Sequence, residues 1–205
     1  MLRWATLALL TVTTTAIHSA RPEIYYGRLP DGHPVTSLAD DGTLAVVLFF
    51  VASECPISNR TFPEMRRVRQ EFEKDHVDFW FVYPNVGEIP ADVTKHQAAY
   101  DAGGRPIMDT AGVLTRMTGA KATPEVVVLR PVRDAVSGVR QWTPVYAGRI
   151  DNRYVRLGLE RPQATEHFAE RVVREVLEGR PVEKAVGNPV GCAIMSPIPS
   201  HGQMP

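Results

Sequence analysis

The stretch TLAVVLFFVASECPIS, Thr43 to Ser58, sets a thiol at the junction of two elements. The run from Thr43 to Val51 is apolar and reads as a buried strand. Pro56 fits the first turn of a helix, where its missing N–H is not needed, so Cys55 is the expected N-cap. The positive end of a helix dipole favours thiolate at that position. Cysteine is also among the most buried residue types, which gives the competing reading of an inert thiol. The place of Cys55 between strand and helix, with polar Ser53, Glu54, Ser58 and Asn59 around it, points instead to a functional thiol.

Outward from this stretch the chain follows an α/β order. A strand over 43–52, a helix over 56–74 with Val68 and Phe72 on one side, and a strand from Val77 to Tyr83, ended by Pro84, make one βαβ unit. A short helix over 91–101 and a smaller one near 111–117 lead to Thr123-Pro124. Strands over 125–130 and 142–150 follow, joined by a loop containing Ser137-Gly138. An amphipathic helix from Thr165 to Leu177 is stopped by Gly179. From Gly187 onward, glycine and proline recur without period, so this tail is expected to be poorly ordered unless Cys192 ties it down.

The chain has 205 residues, formal net charge zero and 44% hydrophobic residues, enough for one well-buried domain. Balanced charge gives no net pull toward nucleic acid or an anionic membrane. Arg66, Arg67 and Arg69 alternate with Glu64, Glu71 and Glu73 and read as a solvated helix face. Residues 1–20 carry one positive charge, a short apolar stretch from Ala5 to Ile17, and small residues at Ala16, Ser19 and Ala20. The expectation is a signal peptide, and hence a periplasmic or extracellular protein without stable membrane insertion once the leader is gone. A retained anchor is the alternative, because Thr11, Thr13, Thr14 and Thr15 dilute the apolar stretch. The domain then spans 21–186, and 187–205 is a tail carrying Cys192.

Three features together resemble thioredoxin-like proteins of the redoxin group. The strand end Leu48-Phe49-Phe50-Val51, followed by Cys55-Pro56-Ile57-Ser58 and Pro63, is similar to their active-site strand and kinked first helix. Thr123-Pro124 before Val126-Val127-Val128 resembles the cis-proline that faces the active cysteine. Asp31-Gly32-His33-Pro34-Val35 through Leu38-Ala39-Asp40 resembles the leading hairpin. The resemblance covers roughly residues 25–180. It implies a central mixed β-sheet flanked by helices, with a βαβ unit followed by a β-hairpin and a C-terminal helix.

In that topology the strand after the cis-proline runs antiparallel to the cysteine strand. This brings Gly148 to Tyr154 to the cysteine edge and makes Arg149 the candidate to stabilise a thiolate. Arg153 is set second because it can bridge Asp151. Backbone groups of Thr123 and Pro124 are implied to hold an extended substrate. Tyr83 and Asn85, at the end of the second strand, are candidate hydrogen-bond donors to it, although a strand-end tyrosine is often packing. His96, on the short helix, reads as an exposed helix histidine, with proton shuttling or metal binding as the sharper options.

The departures carry equal weight. Ser58 stands where thioredoxins have their second cysteine, so no local disulfide forms. Ala52 stands where peroxiredoxins place a threonine or serine, which argues against a standard peroxidase. Copper chaperones of the Sco type need two cysteines in one short loop. Cys192 is the only other cysteine, either a resolving thiol or one end of a structural staple. The favoured reading is an exported thiol–disulfide oxidoreductase acting through Cys55, with a protein or small-molecule disulfide or thiol as substrate, an unidentified thiol reductant, and no cofactor or metal. Peroxide reduction resolved by Cys192 is one alternative. The other is a non-catalytic binding or copper-handling protein, with Met195, His201 and Met204 as soft ligands. Burial separates them: an exposed Cys55 beside Pro124 speaks for catalysis, and a buried sulfur bonded to Cys192 for a staple.

Overall fold

The computed structural model describes residues 24–100, 103–133, 135, 140–183 and 187–195. Its elements in chain order are β1 (Gly27–Arg28), β2 (Pro34–Val35), β3 (Ala45–Phe50), α1 (Pro56–Phe72), β4 (Val77–Tyr83), α2 (Pro90–Ala99), β5 (Arg105–Met108), α3 (Val113–Thr118), β6 (Ala122–Thr123), β7 (Glu125–Arg133), β8 (Arg140–Gly148), β9 (Tyr154–Arg156), β10 (Leu159–Glu160), α4 (Phe168–Leu177) and β11 (Cys192–Ala193). The expected leader and the Ser137-Gly138 loop lie outside the described residues, as do His201 and Met204.

Seven strands form one mixed sheet in the order β2-β1-β5-β4-β3-β7-β8. Strand β3 runs parallel to β4 and antiparallel to β7, and β7 pairs antiparallel with β8. The register sets Phe50 opposite both Val82 and Glu125, and Val126 opposite Gly148. The ends of β3, β4 and β8 and the start of β7 therefore share one edge, the edge at which Cys55 emerges.

All six residues of β3 are buried, because both faces of the sheet are covered. Val47 and Phe49 face Phe62, Met65 and Val68 of α1 and Phe168, Val172 and Val173 of α4. Val46, Leu48 and Phe50 face the opposite layer, with Leu114 of α3, Trp80 and Leu38. Each such side chain contributes about 1.5–3 kcal/mol through the apolar area it removes from water. The rings of Phe62 and Phe81 stack at 5.2 Å, locking the cysteine helix onto β4.

Several boundaries differ from the sequence expectation. The C-terminal helix begins at Phe168 rather than Thr165, because Asn152 Oδ1 accepts the N–H groups of Thr165 (2.8 Å) and Glu166 (3.2 Å). Strand β8 ends at Gly148 and leaves Arg149 to Asn152 in a turn, where the Ile150 carbonyl accepts the Ala169 N–H. Strand β5 was not foreseen: its four residues contain Pro106 and show no apolar alternation. The tail carries a strand, β11, where Cys192 ties it to the domain.

Candidate functional site

Cys55 is the N-cap of α1, with extended backbone (φ −89°, ψ 110°) and Pro56 next. Its N–H donates to the Ala52 carbonyl and its carbonyl accepts from Asn59. The first N–H groups of the helix beyond Pro56 have no carbonyl of an earlier helical turn to meet, so the positive helix end lies at the sulfur. Cys55 is 2% exposed and is bonded to Cys192, with a Cα–Cα separation of 6.2 Å, inside the usual disulfide range. The Thr123–Pro124 peptide is cis, and the Thr123 carbonyl oxygen lies 3.1 Å from Cys55 Sγ. A disulfide sulfur has no proton to donate, so this is a close contact and not a hydrogen bond.

The loop before the cysteine is clamped by side chains. Ser53 donates its N–H and its hydroxyl to the two oxygens of the Glu88 carboxylate, at 2.9 and 2.7 Å. The Ala52 N–H donates to Ser58 Oγ at 3.3 Å, so the serine in place of a second cysteine is buried and holds the loop. Asn59 Nδ2 donates to the Ser53 carbonyl, and Asn59 Oδ1 accepts from His96 Nε2 at 2.7 Å. With that nitrogen protonated, His96 Nδ1 accepts the Tyr83 hydroxyl proton at 2.8 Å, and Tyr83 in turn accepts from Gln97. Every proton in this chain has an acceptor when His96 is neutral. Burial favours that state and holds its pKa below the usual 6.5.

His96 is thus 7% exposed, not the exposed helix histidine that its sequence context suggested. It sits in the last turn of α2 with its ring against Phe62 and Tyr100. Tyr83 is fully buried with its hydroxyl committed to this network. Sequence reasoning passed over Glu88 and gave Asn59 no partner. The available signal was a polar residue within the first helical turn beside an otherwise apolar face.

Cys192 reaches Cys55 as part of a strap, residues 187–195, laid along β6. Cys192 faces Thr123 and Ala193 faces Ala122 in antiparallel register. The Ile194 N–H donates to the Lys121 carbonyl, and the Met195 N–H donates to Asn85 Oδ1 at 2.9 Å. On its other side β6 is held by the buried Glu125 carboxylate, which accepts the N–H groups of Lys121 (2.7 Å) and Ala122 (3.1 Å). Arg149 gathers backbone carbonyls: Nε donates to Asn188 at 2.7 Å and a terminal nitrogen to Tyr154 at 3.0 Å. Arg149, Pro124 and the strap's Val190 border one small cavity. Arg153 pairs with Glu160, and its backbone N–H donates to Asp151.

A thiol at a helix start on the central sheet, facing a cis-proline that opens an antiparallel hairpin, decides the architecture. The fold is thioredoxin-like. The sequence matches no protein-family model and no curated protein. Among solved structures, the thioredoxin-like chain is similar to an uncharacterised protein of Sinorhizobium meliloti 1021, at 18% identity and TM-score 0.67, over 88% of this chain and 97% of that one. It is also similar to an uncharacterised conserved protein of Geobacillus kaustophilus, at 21% identity and TM-score 0.62, over 87% and 90%. A thiol:disulfide interchange protein of the thioredoxin family from Chlorobium tepidum TLS aligns at 20% identity and TM-score 0.45, over 78% and 99%. Among the described residues no three His, Cys, Asp or Glu side chains are grouped to hold a metal ion, and no helix is long and apolar enough to cross a membrane.

Proposed function

We propose that this chain is a thiol–disulfide oxidoreductase that works through Cys55, with Cys192 as its resolving thiol. The observation that carries the reading is the kind of cover under which Cys55 is buried. The disulfide partner sits on a strap in which no described residue is buried, and strand pairing there spans two residues. A segment with so little buried apolar surface opens locally at small free-energy cost. The inaccessibility of Cys55 then belongs to the oxidised state, and breaking one bond exposes the thiol at the start of α1.

In the reduced chain, the Cys55 thiolate, favoured by the helix start, attacks a substrate disulfide. The Cys55–substrate bond forms as the substrate S–S bond breaks, and the outer sulfur leaves with the electron pair and takes up a proton. The Cys192 thiolate next attacks Cys55 Sγ, closing Cys55–Cys192 and expelling the second substrate sulfur as a thiolate. Two electrons pass from the protein thiols to the substrate, and a low-molecular-weight or protein dithiol resets the pair. Arg149, bordering the cavity at Pro124, is the residue proposed to favour thiolate and to hold the strap; Asn85 anchors the strap's far end. A cysteine pair that rests in the oxidised form between turnovers suits an oxidising compartment, so export is part of the proposal.

The test is turnover. With excess dithiothreitol and a disulfide-bonded protein substrate, the full chain is expected to accelerate reduction and Cys55→Ser to abolish the acceleration; the pre-reduced Cys192→Ser chain, freed of dithiothreitol and mixed with the same substrate, is expected to accumulate a mixed disulfide on Cys55. The burial of Cys55 favours a second reading, a structural staple; an unaccelerated reaction would support it.

A further inference from the structure

The strap displays the kind of chain that the Cys55 edge accepts. Strand β6 stands outside the seven-stranded sheet and pairs with β11 in a separate two-stranded one. The Lys121 and Ala122 N–H groups are taken by Glu125, and the Lys121 carbonyl and Thr123 are left to an extended segment. The strap fills that edge by main-chain pairing, with Cys192 brought to Cys55 by the register itself. Main-chain pairing of this kind accepts many sequences and takes its selectivity from positions where a side chain has no room.

Gly191 is such a position. A Cβ built there collides with the Thr123 carbonyl oxygen and comes within 2.6 Å of the Thr123 carbonyl carbon and 3.0 Å of Pro124 Cδ. Two of these three atoms are backbone, and the third belongs to a proline ring, so none can swing away. The φ of Gly191 is not among the chain's positive values, so glycine is required by close approach and not by conformation.

We propose that glycine immediately before the reacting cysteine is the recognition rule at the edge that the resemblance already implies for an extended substrate, with residues 191–194 as a resident self-substrate that displays the rule. This rests on the thiol-exchange reading above. The incoming cysteine takes the position of Cys192 opposite Thr123 when it bonds to Cys55. The Cys192 thiolate then attacks Cys55 Sγ in line, from the side opposite the peptide sulfur, the peptide leaves as a thiolate, and the strap takes the vacated edge. The electron balance is that given above, with the peptide disulfide reduced and the protein dithiol oxidised.

The test uses the reduced full-length Cys192→Ser chain and two synthetic peptides, Val-Gly-Cys-Ala-Ile and Val-Ala-Cys-Ala-Ile, each carrying a 2-thiopyridyl disulfide. Release of 2-thiopyridone reports attack by Cys55, and bis(2-pyridyl) disulfide serves as a small reagent with no preceding residue. The glycine peptide is expected to react at least about tenfold faster than the alanine peptide, as for overpacking against fixed backbone. Equal peptide rates, with the small reagent reacting normally, overturn the recognition rule and leave the oxidoreductase reading standing. Failure of all three reagents overturns both. A second variant covers residual blockage by the strap: Gly191→Ala in the otherwise unaltered chain is expected to make Cys55–Cys192 about tenfold easier to reduce in glutathione buffers. An unchanged equilibrium overturns the inference.

Discussion

Cys192 and Thr123 are partners across an antiparallel strand pair, and the Thr123 carbonyl oxygen also lies 3.1 Å from the sulfur to which Cys192 is bonded. The residue before the cis-proline therefore meets both halves of the disulfide, one through the ladder and one through space. The strap and the disulfide support one another: the ladder sets the sulfur in place, and the bond keeps a short strand on its edge.

Opening that bond removes a link across a sequence separation of 137 residues. In the chain-entropy view such a link stabilises by up to about 5 kcal/mol. Urea unfolding of the oxidised chain, the reduced chain and Cys192→Ser is expected to show the latter two less stable by a similar margin, of about 2–5 kcal/mol. Equal stability of all three would mean that the bond is not formed in the folded protein.

Arg149→Ala tests how the strap is held. The guanidinium spends its donors on the carbonyls of Asn188, Tyr154 and Val155. Only the Asn188 bond reaches the strap, and losing an exposed bond of this kind costs about 0.5–1.5 kcal/mol, which corresponds to roughly two- to tenfold in the Cys55–Cys192 equilibrium against glutathione. Arg149→Lys is expected to recover only part of it, because an ammonium cannot reproduce the fork. If Arg149 acts on the thiolate as well, pH-dependent alkylation of the reduced Arg149→Ala chain will also show a raised Cys55 pKa.

His96 gives a pH dependence with a defined sign. Its pKa in the fold is held below 6.5 by burial, so the unfolded chain binds the proton more readily. The contribution is full above about pH 6.5 and is lost as pH falls from there down through the folded value. The ring touches Tyr83, Asn59, Phe62 and Tyr100, none of which is charged at these pH values, while Glu54, Asp92 and Lys95 line the same surface cavity as His96. His96→Asn is expected to be less stable at neutral pH and to lose this part of the slope as pH falls below about 6.5 in pH-resolved urea melts. An unaltered slope would remove His96 as its source.

Glu88→Ala unties the loop before Cys55 by deleting both acceptors of Ser53. A loss of about 1.5–3 kcal/mol in unfolding free energy is expected. Hydrogen exchange at the Ser53 amide should rise in the same variant; unchanged protection would show that the clamp does not hold the loop.

The sheet centre was legible because Thr43–Val51 and Val77–Tyr83 are largely apolar runs bounded by proline, glycine or polar turns, and burial on both faces leaves that mark. The place of Thr123-Pro124 followed from resemblance, since an X-Pro dipeptide by itself reads trans. Strand β5 and strand β11 were hidden for a different reason: each is short, and each exists because of what lies beside it, β4 for one and the Cys55 disulfide for the other. The His96 network was hidden because a helix histidine reveals its partners only when helix and sheet are packed. The position of Arg149 beside Pro124 was legible, whereas the partners of its guanidinium were not, because backbone carbonyls leave no mark in sequence.

The reduction potential of the Cys55–Cys192 disulfide in the full chain, measured by equilibration in glutathione buffers, tests the central claim most directly. A working redox pair under a lightly held strap predicts a potential above about −250 mV, within reach of ordinary thiol exchange. A potential below about −300 mV would mean a bond that cellular thiols do not open, and the pair would be a structural staple.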